Sequence, residues 1–196
     1  MSKTAKDYAL KGRFARSLHT ALTVGYCTWL VPDSASEPAL GALVSDLAGL
    51  EPPAPSFIPH ITLLSPKNAF RQSAEDLSRA LEAAVAARPA GPLRLTLEAP
   101  APGTFYYQCM LAPVVPSEQL AALRAAVEDA VDEHPKVFFP HLSLLYGDLD
   151  EGRKRELCAE ASARATFPMD ITVTEAVVVD INGTAPEWKI VHRVKL

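Results

Sequence analysis

Two short stretches of this chain place a histidine and a hydroxyl two residues apart: His60-Ile61-Thr62 and His141-Leu142-Ser143. Each follows a proline and runs on into Leu-Leu. In a strand, side chains two apart share a face, so each stretch sets an imidazole beside a hydroxyl while Ile61 or Leu142 points the other way. Imidazoles titrate near neutral pH. One of a facing pair can therefore take a proton from a nucleophile while the other, protonated, delivers one to a leaving group. Thr62 and Ser143 lack an evident base dedicated to activating them as nucleophiles, but as neutral donors they can hold the nonbridging oxygens of a phosphate between the imidazoles. This combination suits hydrolysis or transfer at phosphorus.

A single histidine in an apolar strand is more often a hydrogen-bonded core residue than a catalyst. The weight here comes from repetition. The two histidines are 81 residues apart, and the same shift carries the first apolar run onto Phe105–Ala112 and the helix after Ser36 onto the helix after Ser117. It also brings the helix after Ser73 near residues 154–169, so a series of strand, helix, histidine strand and helix occurs twice. A duplication of this kind gives two lobes about a pseudo-two-fold axis, with the histidine strands at equivalent places and a cleft between them.

The elements that must position these residues are legible from pattern. Ala21–Val31 is β-branched, aromatic and apolar and ends at Pro32-Asp33, as a buried strand does. Ser36 is a candidate N-cap for a helix with Leu40, Leu43, Val44, Leu47 and Leu50 at helical spacing. Phe57–Ser65 is the first histidine strand. Ser73 and Asp76 form a capping box for a second helix with Leu77, Leu81 and Ala84 inward. Leu93, Leu95 and Leu97 alternate with polar residues as in a half-exposed strand, and Thr104–Ala112 reads as another. Ser117 caps a helix carrying Leu120, Leu123, Val127 and Val131 that stops at His134-Pro135, and Asp150 caps one carrying Leu157, Cys158 and Ala161. Strands at Met169–Val173, Val177–Ile181 and Trp188–Val194 complete the chain.

Composition bounds the rest. With 196 residues, 48% of them hydrophobic, the chain can bury a substantial core, and no apolar run reaches the ~18 residues of a membrane span. Three widely spaced cysteines, Cys27, Cys109 and Cys158, suit buried thiols in a reducing compartment, the cytoplasm or nucleus. The net charge of −4 divides unevenly: Lys3, Lys6, Lys11, Arg13 and Arg16 against Asp7 make the first 20 residues +4 and the remainder −8. An acidic body disfavours long nucleic acid, which needs a basic face. Residues 1–17 are expected to form a flexible basic tail; their charge also fits an organelle transit peptide. Residues 18–196 are expected to form one domain, monomeric by default. Zinc takes three or four protein ligands, and no carboxylate or cysteine is expected on the histidine faces, so neither metal nor cofactor is expected.

The motifs PHITLL and PHLSLLYG resemble the paired H-x-[ST] signatures of the 2H phosphoesterase superfamily. The second, with its Leu-Leu-Tyr-Gly continuation, looks most like the plant and fungal 2′,3′-cyclic-nucleotide 3′-phosphodiesterases. The likeness runs from the first strand to the end of the chain. It implies an α+β, bilobal fold with two antiparallel sheets facing across a central cleft and helices outside. It also implies a metal-independent enzyme that opens 2′,3′-cyclic phosphates, or the 1″,2″-cyclic phosphate of ADP-ribose formed after tRNA splicing. By that resemblance His60 and His141 are the acid/base pair, Thr62 and Ser143 the phosphate donors, and Tyr146 a substrate contact. For hydrolysis to a 2′-phosphate, His141 is expected to activate water and His60 to protonate the departing 3′ oxygen. Strict alternation puts Tyr146 opposite His141, so its role requires the strand to turn before Gly147. Tyr106, Tyr107, Gln108 and Trp188 are candidates to stack on or bond to a base. His19, His134 and His192 are read as non-catalytic. The competing functions are RNA 3′-end processing within the same superfamily and a non-catalytic nucleotide-binding module.

Overall fold

The structure, a computed structural model, describes residues 23–65, 72–132 and 138–196. The expected tail at 1–17 and the helix end at His134-Pro135 lie outside them. In chain order the elements are β1 (Tyr26–Pro32), α1 (Glu37–Leu50), β2 (Ile61–Leu64), α2 (Ala74–Ala86), β3 (Leu93–Leu97), β4 (Ala101–Pro102), β5 (Met110–Pro113), α3 (Glu118–Val131), β6 (His141–Leu145), α4 (Glu151–Arg164), β7 (Met169–Asp180) and β8 (Lys189–Lys195). The 81-residue shift carries α1 onto α3 end for end, and β2 onto the last four residues of β6.

Capping explains most helix starts. Ser73 and Asp76 form the reciprocal box expected for α2, the Ser117 hydroxyl accepts from Leu120 N–H, and the Asp150 carboxylate accepts from Gly152 and Arg153 N–H. Ser36 departs from expectation. Its backbone is already helical and its side chain caps nothing; the Asp33 carboxylate instead takes the Ser36 N–H at 2.9 Å. Thr104–Ala112 also departs, because a single 3₁₀ turn at Tyr106–Gln108 interrupts it and only Met110–Pro113 is strand. β7 is one continuous strand of 12 residues where two shorter ones were expected.

The strands are all antiparallel, in the order β3-β7-β1-β2-β6-β5-β4, with β8 on β7. Where two separate facing sheets were expected, the strands of both halves form one curled sheet. Beyond its pairing with β7, β3 runs on to meet the end of β5: Leu97 bridges Val114, Glu98 N–H donates to Pro113 O at 2.7 Å, and Val115 N–H donates to Thr96 O at 2.9 Å. The circuit β1-β2-β6-β5-β3-β7 therefore closes on itself. Closure of this kind pairs edges that two separate sheets would leave open.

The four helices bury their apolar stripes on one face of this sheet. Leu40, Leu43 and Leu47, Leu77 and Leu81, Leu120 and Leu123, and Leu157 join Ile61, Leu63, Leu142 and Leu144 in a single core. A smaller cluster, Cys27, Trp29, Val31, Val177, Val179 and Ile181 with Trp188 and Ile190 against it, forms separately.

Each histidine strand carries one bulge, at the same place. β1 pairs Trp29 with Thr62 and Thr28 with Leu64, skipping Leu63; β5 pairs Leu111 with Ser143 and Met110 with Leu145, skipping Leu144. The extra residue lets both leucines of each Leu-Leu pair enter the core, and the alternation slips by one. The next residue, Ser65 or Tyr146, thereby arrives on the histidine face. This is the turn that Tyr146 required.

Leu142 is fully buried at the junction of the halves. Leu142→Ala is expected to lower the unfolding free energy by about 2–5 kcal/mol through lost burial and the cavity left behind. Urea denaturation would register this as a lower midpoint with an unchanged slope.

Candidate active site

β2 and β6 meet at one antiparallel pair, Ile61 opposite Leu142, and both side chains enter the core. Their neighbours along each strand must then point the other way. Counting out from that pair, Thr62 is opposite His141, and Ser143 is opposite His60. The four polar side chains meet on one face and line a cavity of about 420 Å³. Trp29, Tyr107, Phe138, Phe139, Tyr146 and Trp188 also line it, together with Thr23, Cys27, Ser65, Gln108, Arg124 and Ile181.

Both imidazoles are held the same way. His60 Nδ1 lies 2.6 Å from Ile58 O, and His141 Nδ1 lies 2.8 Å from Phe139 O. A carbonyl can only accept, so Nδ1 carries the proton and donates it. In the neutral ring Nε2 is then left with its lone pair. The intervening Pro59 and Pro140 keep Ile58 and Phe139 out of the helical region, which suits the carbonyl two residues upstream to this contact. Repetition of the Pro-His pair thus has a direct structural meaning.

The environments of the two rings differ. His60 is 5% exposed and lies flat on Trp29, with ring centroids 3.6 Å apart and planes 10° apart. His141 is half-buried and has Phe139 beside it at 5.5 Å. Burial pushes His60 from 6.5 down to about 4; the Ile58 carbonyl opposes this shift and the His141 ring adds to it. Burial also lowers His141, against the pull of the Phe139 carbonyl. Both rings are therefore neutral at pH 7 in the free protein. Among the described residues neither ring has an anionic partner to hold a charge.

The hydroxyls also differ. Ser143 is buried and donates to the Tyr107 carbonyl at 2.9 Å, so it must rotate to serve a phosphate. Thr62 is half-buried on the cavity wall. Tyr146 is 2% exposed, stacked on Phe57 at 3.8 Å and edge-on to Tyr107 at 5.1 Å. Desolvation holds its phenol protonated far beyond the usual range, and the Ser143 hydroxyl partly offsets this. Burial pushes Tyr107 up to about 12. Trp188 donates its indole N–H to Thr23 Oγ1 at 2.9 Å, and Thr23 in turn donates to backbone across from it, tying β1's approach to the Asn182-Gly183 turn. Tyr107, Gln108 and Trp188 thus line the cavity as expected for base contacts, and Tyr106 does not.

Trp29, Phe139, Cys27 and Arg124 were not anticipated. Phe139 stood in the FFPH stretch itself. The Arg124 signal was a break in an otherwise apolar helix stripe, at a position that Leu120, Leu123 and Val127 surround. Cys27 corrects the expectation that no cysteine shares the histidine face; its thiol is buried and pushed well up by desolvation. Among the described residues, no three or more His, Cys, Asp or Glu side chains gather to hold a metal. His192 lies away from the cavity, 2.8 Å from Glu82 of α2, and all three cysteines are free and buried. Among the described residues no helix is long and apolar enough to cross a membrane.

A curled antiparallel sheet made of two repeated halves, with helices on one face and a pair of His-x-hydroxyl strands on the other, defines a 2H phosphoesterase. The chain belongs to the 2′-5′ RNA ligase superfamily, whose model matches residues 31–185. It is 28% identical over 131 residues to the cyclic phosphodiesterase of Arabidopsis thaliana, spanning 66% of this chain and 69% of that protein. Its fold is similar to E. coli LigT complexed with 3′-AMP, with a TM-score of 0.54 at 15% identity, over 88% of this chain and 97% of that one. The same protein complexed with ATP gives a TM-score of 0.51 at 17% identity, over 87% and 96%. Membership of this superfamily and the cyclic phosphodiesterase relative support phosphoesterase activity.

The histidine geometry has a spectroscopic consequence. At pH 7 the ¹⁵N shifts of both imidazoles should report Nδ1–H tautomers, with a titration midpoint near 4 for His60 and below 6.5 for His141. Between those limits the unfolded chain binds more protons than the folded one, so stability should fall as pH drops from 6.5 toward 4. A flat Tm across that window would contradict the neutral, buried assignment.

Proposed function

We propose that this protein is a metal-independent hydrolase that opens 2′,3′-cyclic nucleotide phosphates to 2′-phosphates by paired-histidine acid/base catalysis. The observation that carries this reading is the matched anchoring of the two imidazoles. Each Nδ1–H is committed to a backbone carbonyl, so each Nε2 is available for proton transfer in one shared cavity.

The reaction needs one proton removed and one delivered. His141 Nε2, in the more open ring, takes a proton from water as its oxygen attacks phosphorus. His60 Nε2–H, in the dry position on Trp29, gives a proton to the 3′ oxygen as the P–O3′ bond breaks. The product is a 2′-phosphate monoester; His141 ends protonated and His60 neutral, and exchange with solvent resets the pair. The substrate anion between the rings supplies the counter-charge that the free site lacks, which favours the imidazolium. Thr62, and Ser143 after rotation, donate to the nonbridging oxygens. The phenol of Tyr146 stays protonated and is a further neutral donor. Tyr107 and Trp188 offer aromatic surface to the base. The two imidazoles supply proton transfer directly, and among the described lining residues there is no carboxylate to join them as a metal ligand.

With 2′,3′-cyclic AMP in the presence of EDTA, the native protein should release the 2′-phosphate. His60→Ala and His141→Ala should each lose a factor on the order of 10²–10⁴ in kcat. Because burial lowers both histidines, kcat/KM should be greatest on the acid side of 6.5, falling above it as the acid deprotonates and falling toward 4 as the base protonates. A 3′-phosphate product, a requirement for metal, or near-native turnover by either variant would overturn the reading.

A further inference from the structure

Among the described residues that line the cavity, Arg124 is the one Arg or Lys, and it lies in α3, outside the histidine strands. Its side chain is only 9% exposed. Nε donates to the Glu128 carboxylate, Nη1 donates to the Leu63 carbonyl of β2, and the guanidinium lies over the Phe138 ring with Cζ 4.6 Å from its centre. These contacts fix the plane of the fork. Among the described residues these contacts use two of its five N–H donors, and neither is on Nη2.

The repeat shows that the fold does not require a cation here. The buried face of α1 is Leu40, Leu43, Val44 and Leu47, and that of α3 is Leu120, Leu123, Arg124 and Val127. Under the 81-residue shift Arg124 falls at Leu43, so where one half buries a leucine the other carries a guanidinium. A buried ion pair offers little stability over a packed apolar residue, because desolvation offsets its attraction. A charge placed where leucine suffices, opening on a cavity whose described lining holds no carboxylate, has a ligand-facing explanation.

That ligand is an anion, and the reacting phosphate already has four polar groups of its own in His60, Thr62, His141 and Ser143. Arg124 is bonded to the Leu63 carbonyl, one residue beyond Thr62, and lies over the Phe138 ring, so its anchoring contacts are not the histidines themselves. We propose that Arg124 anchors a second phosphate, on the 5′ oxygen of the nucleoside whose 2′,3′-cyclic phosphate is opened. The preferred substrate class is then a cyclic phosphate carrying a 5′-phosphoryl group, either as a monoester or as the diester of a longer strand. This rests on the function proposed above.

The test compares kcat/KM for three substrates: adenosine 2′,3′-cyclic phosphate, its 5′-phosphorylated form, and the dinucleotide ApA ending in a 2′,3′-cyclic phosphate. Native protein should prefer the two bearing a 5′-phosphoryl group by about 10- to 100-fold, the range of a charge-assisted hydrogen bond, mainly through KM. In Arg124→Met the ratio to the bare substrate should collapse toward one; in Arg124→Lys part of it should remain. Circular dichroism checks folding, and if the Met variant does not fold, the Lys variant carries the comparison. Preference for the monoester alone would assign a small nucleotide, and equal preference for both a strand end. Native turnover of all three with equal kcat/KM overturns the anchor and leaves the function standing. A ratio unchanged in Arg124→Met also overturns it. Equal losses on all three substrates would make Arg124 only a clamp on Leu63 and Phe138. No native turnover of any substrate overturns the proposed function, and the anchor with it.

Discussion

The single antiparallel contact between Ile61 and Leu142 is the constraint on which the site depends. It is the one register pair that joins β2 to β6, and it lies where the two halves of the repeat are related to one another. Because both side chains enter the core, strand alternation sends His60 and Thr62, and His141 and Ser143, to the opposite face. The antiparallel sense then crosses them, hydroxyl against imidazole. A register slip of one residue would turn all four polar groups into the core and both apolar ones into the cavity. The apolar cost of that slip holds the four polar side chains on one face.

The bulges at Leu63 and Leu144 extend the same logic. A plain strand would keep alternating after the hydroxyl and send the second leucine of each pair to the cavity. Inserting one residue buries both leucines and returns the next side chain to the histidine face. The Leu-Leu of the motif is thus a structural requirement of the site. The prolines are another: with the backbone ahead of each histidine extended, the carbonyl two residues upstream meets Nδ1 and selects the tautomer.

Much of this was legible in the sequence because it is local and repeated. The histidine-hydroxyl spacing, the four helices and three of the four side-chain caps all depend on residues close in the chain, and the four helices fall where they were expected. What could not be read was long-range. Whether β3 stays with its own half or crosses to β7 and β5 depends on edge pairing between segments far apart, and local pattern carries no record of it. Tyr106–Gln108 has strand-like residues, yet the Gly147 N–H takes the Tyr106 carbonyl and Ser143 takes that of Tyr107, so tertiary partners select a turn. Neutrality of both histidines was also hidden, since it follows from what covers them: Trp29 beneath His60, from a different strand, and Phe139 beside His141.

Duplication supplies two equal halves, but the acid/base reading proposed for this site needs two unequal histidines. The departures from symmetry are therefore the informative positions, and they concentrate around the cavity. Trp29 lies against Thr62 in one half, and Leu111 against Ser143 in the other, so only His60 gains an indole to lie on. Ser65 and Tyr146 emerge from equivalent bulges, yet one is a small hydroxyl and the other a buried phenol stacked on Phe57. Ile58 and Phe139 offer equivalent carbonyls, but only Phe139 brings an aromatic ring to the cavity. In the outer helices Leu43 and Arg124 differ in the same sense. Where core packing alone acts, as at Ile61 and Leu142 or Leu63 and Leu144, the halves keep matching apolar residues. A core tolerates either half's choice provided volume and polarity are kept, so a change of chemical type at equivalent buried positions marks where something other than packing bears on the residue.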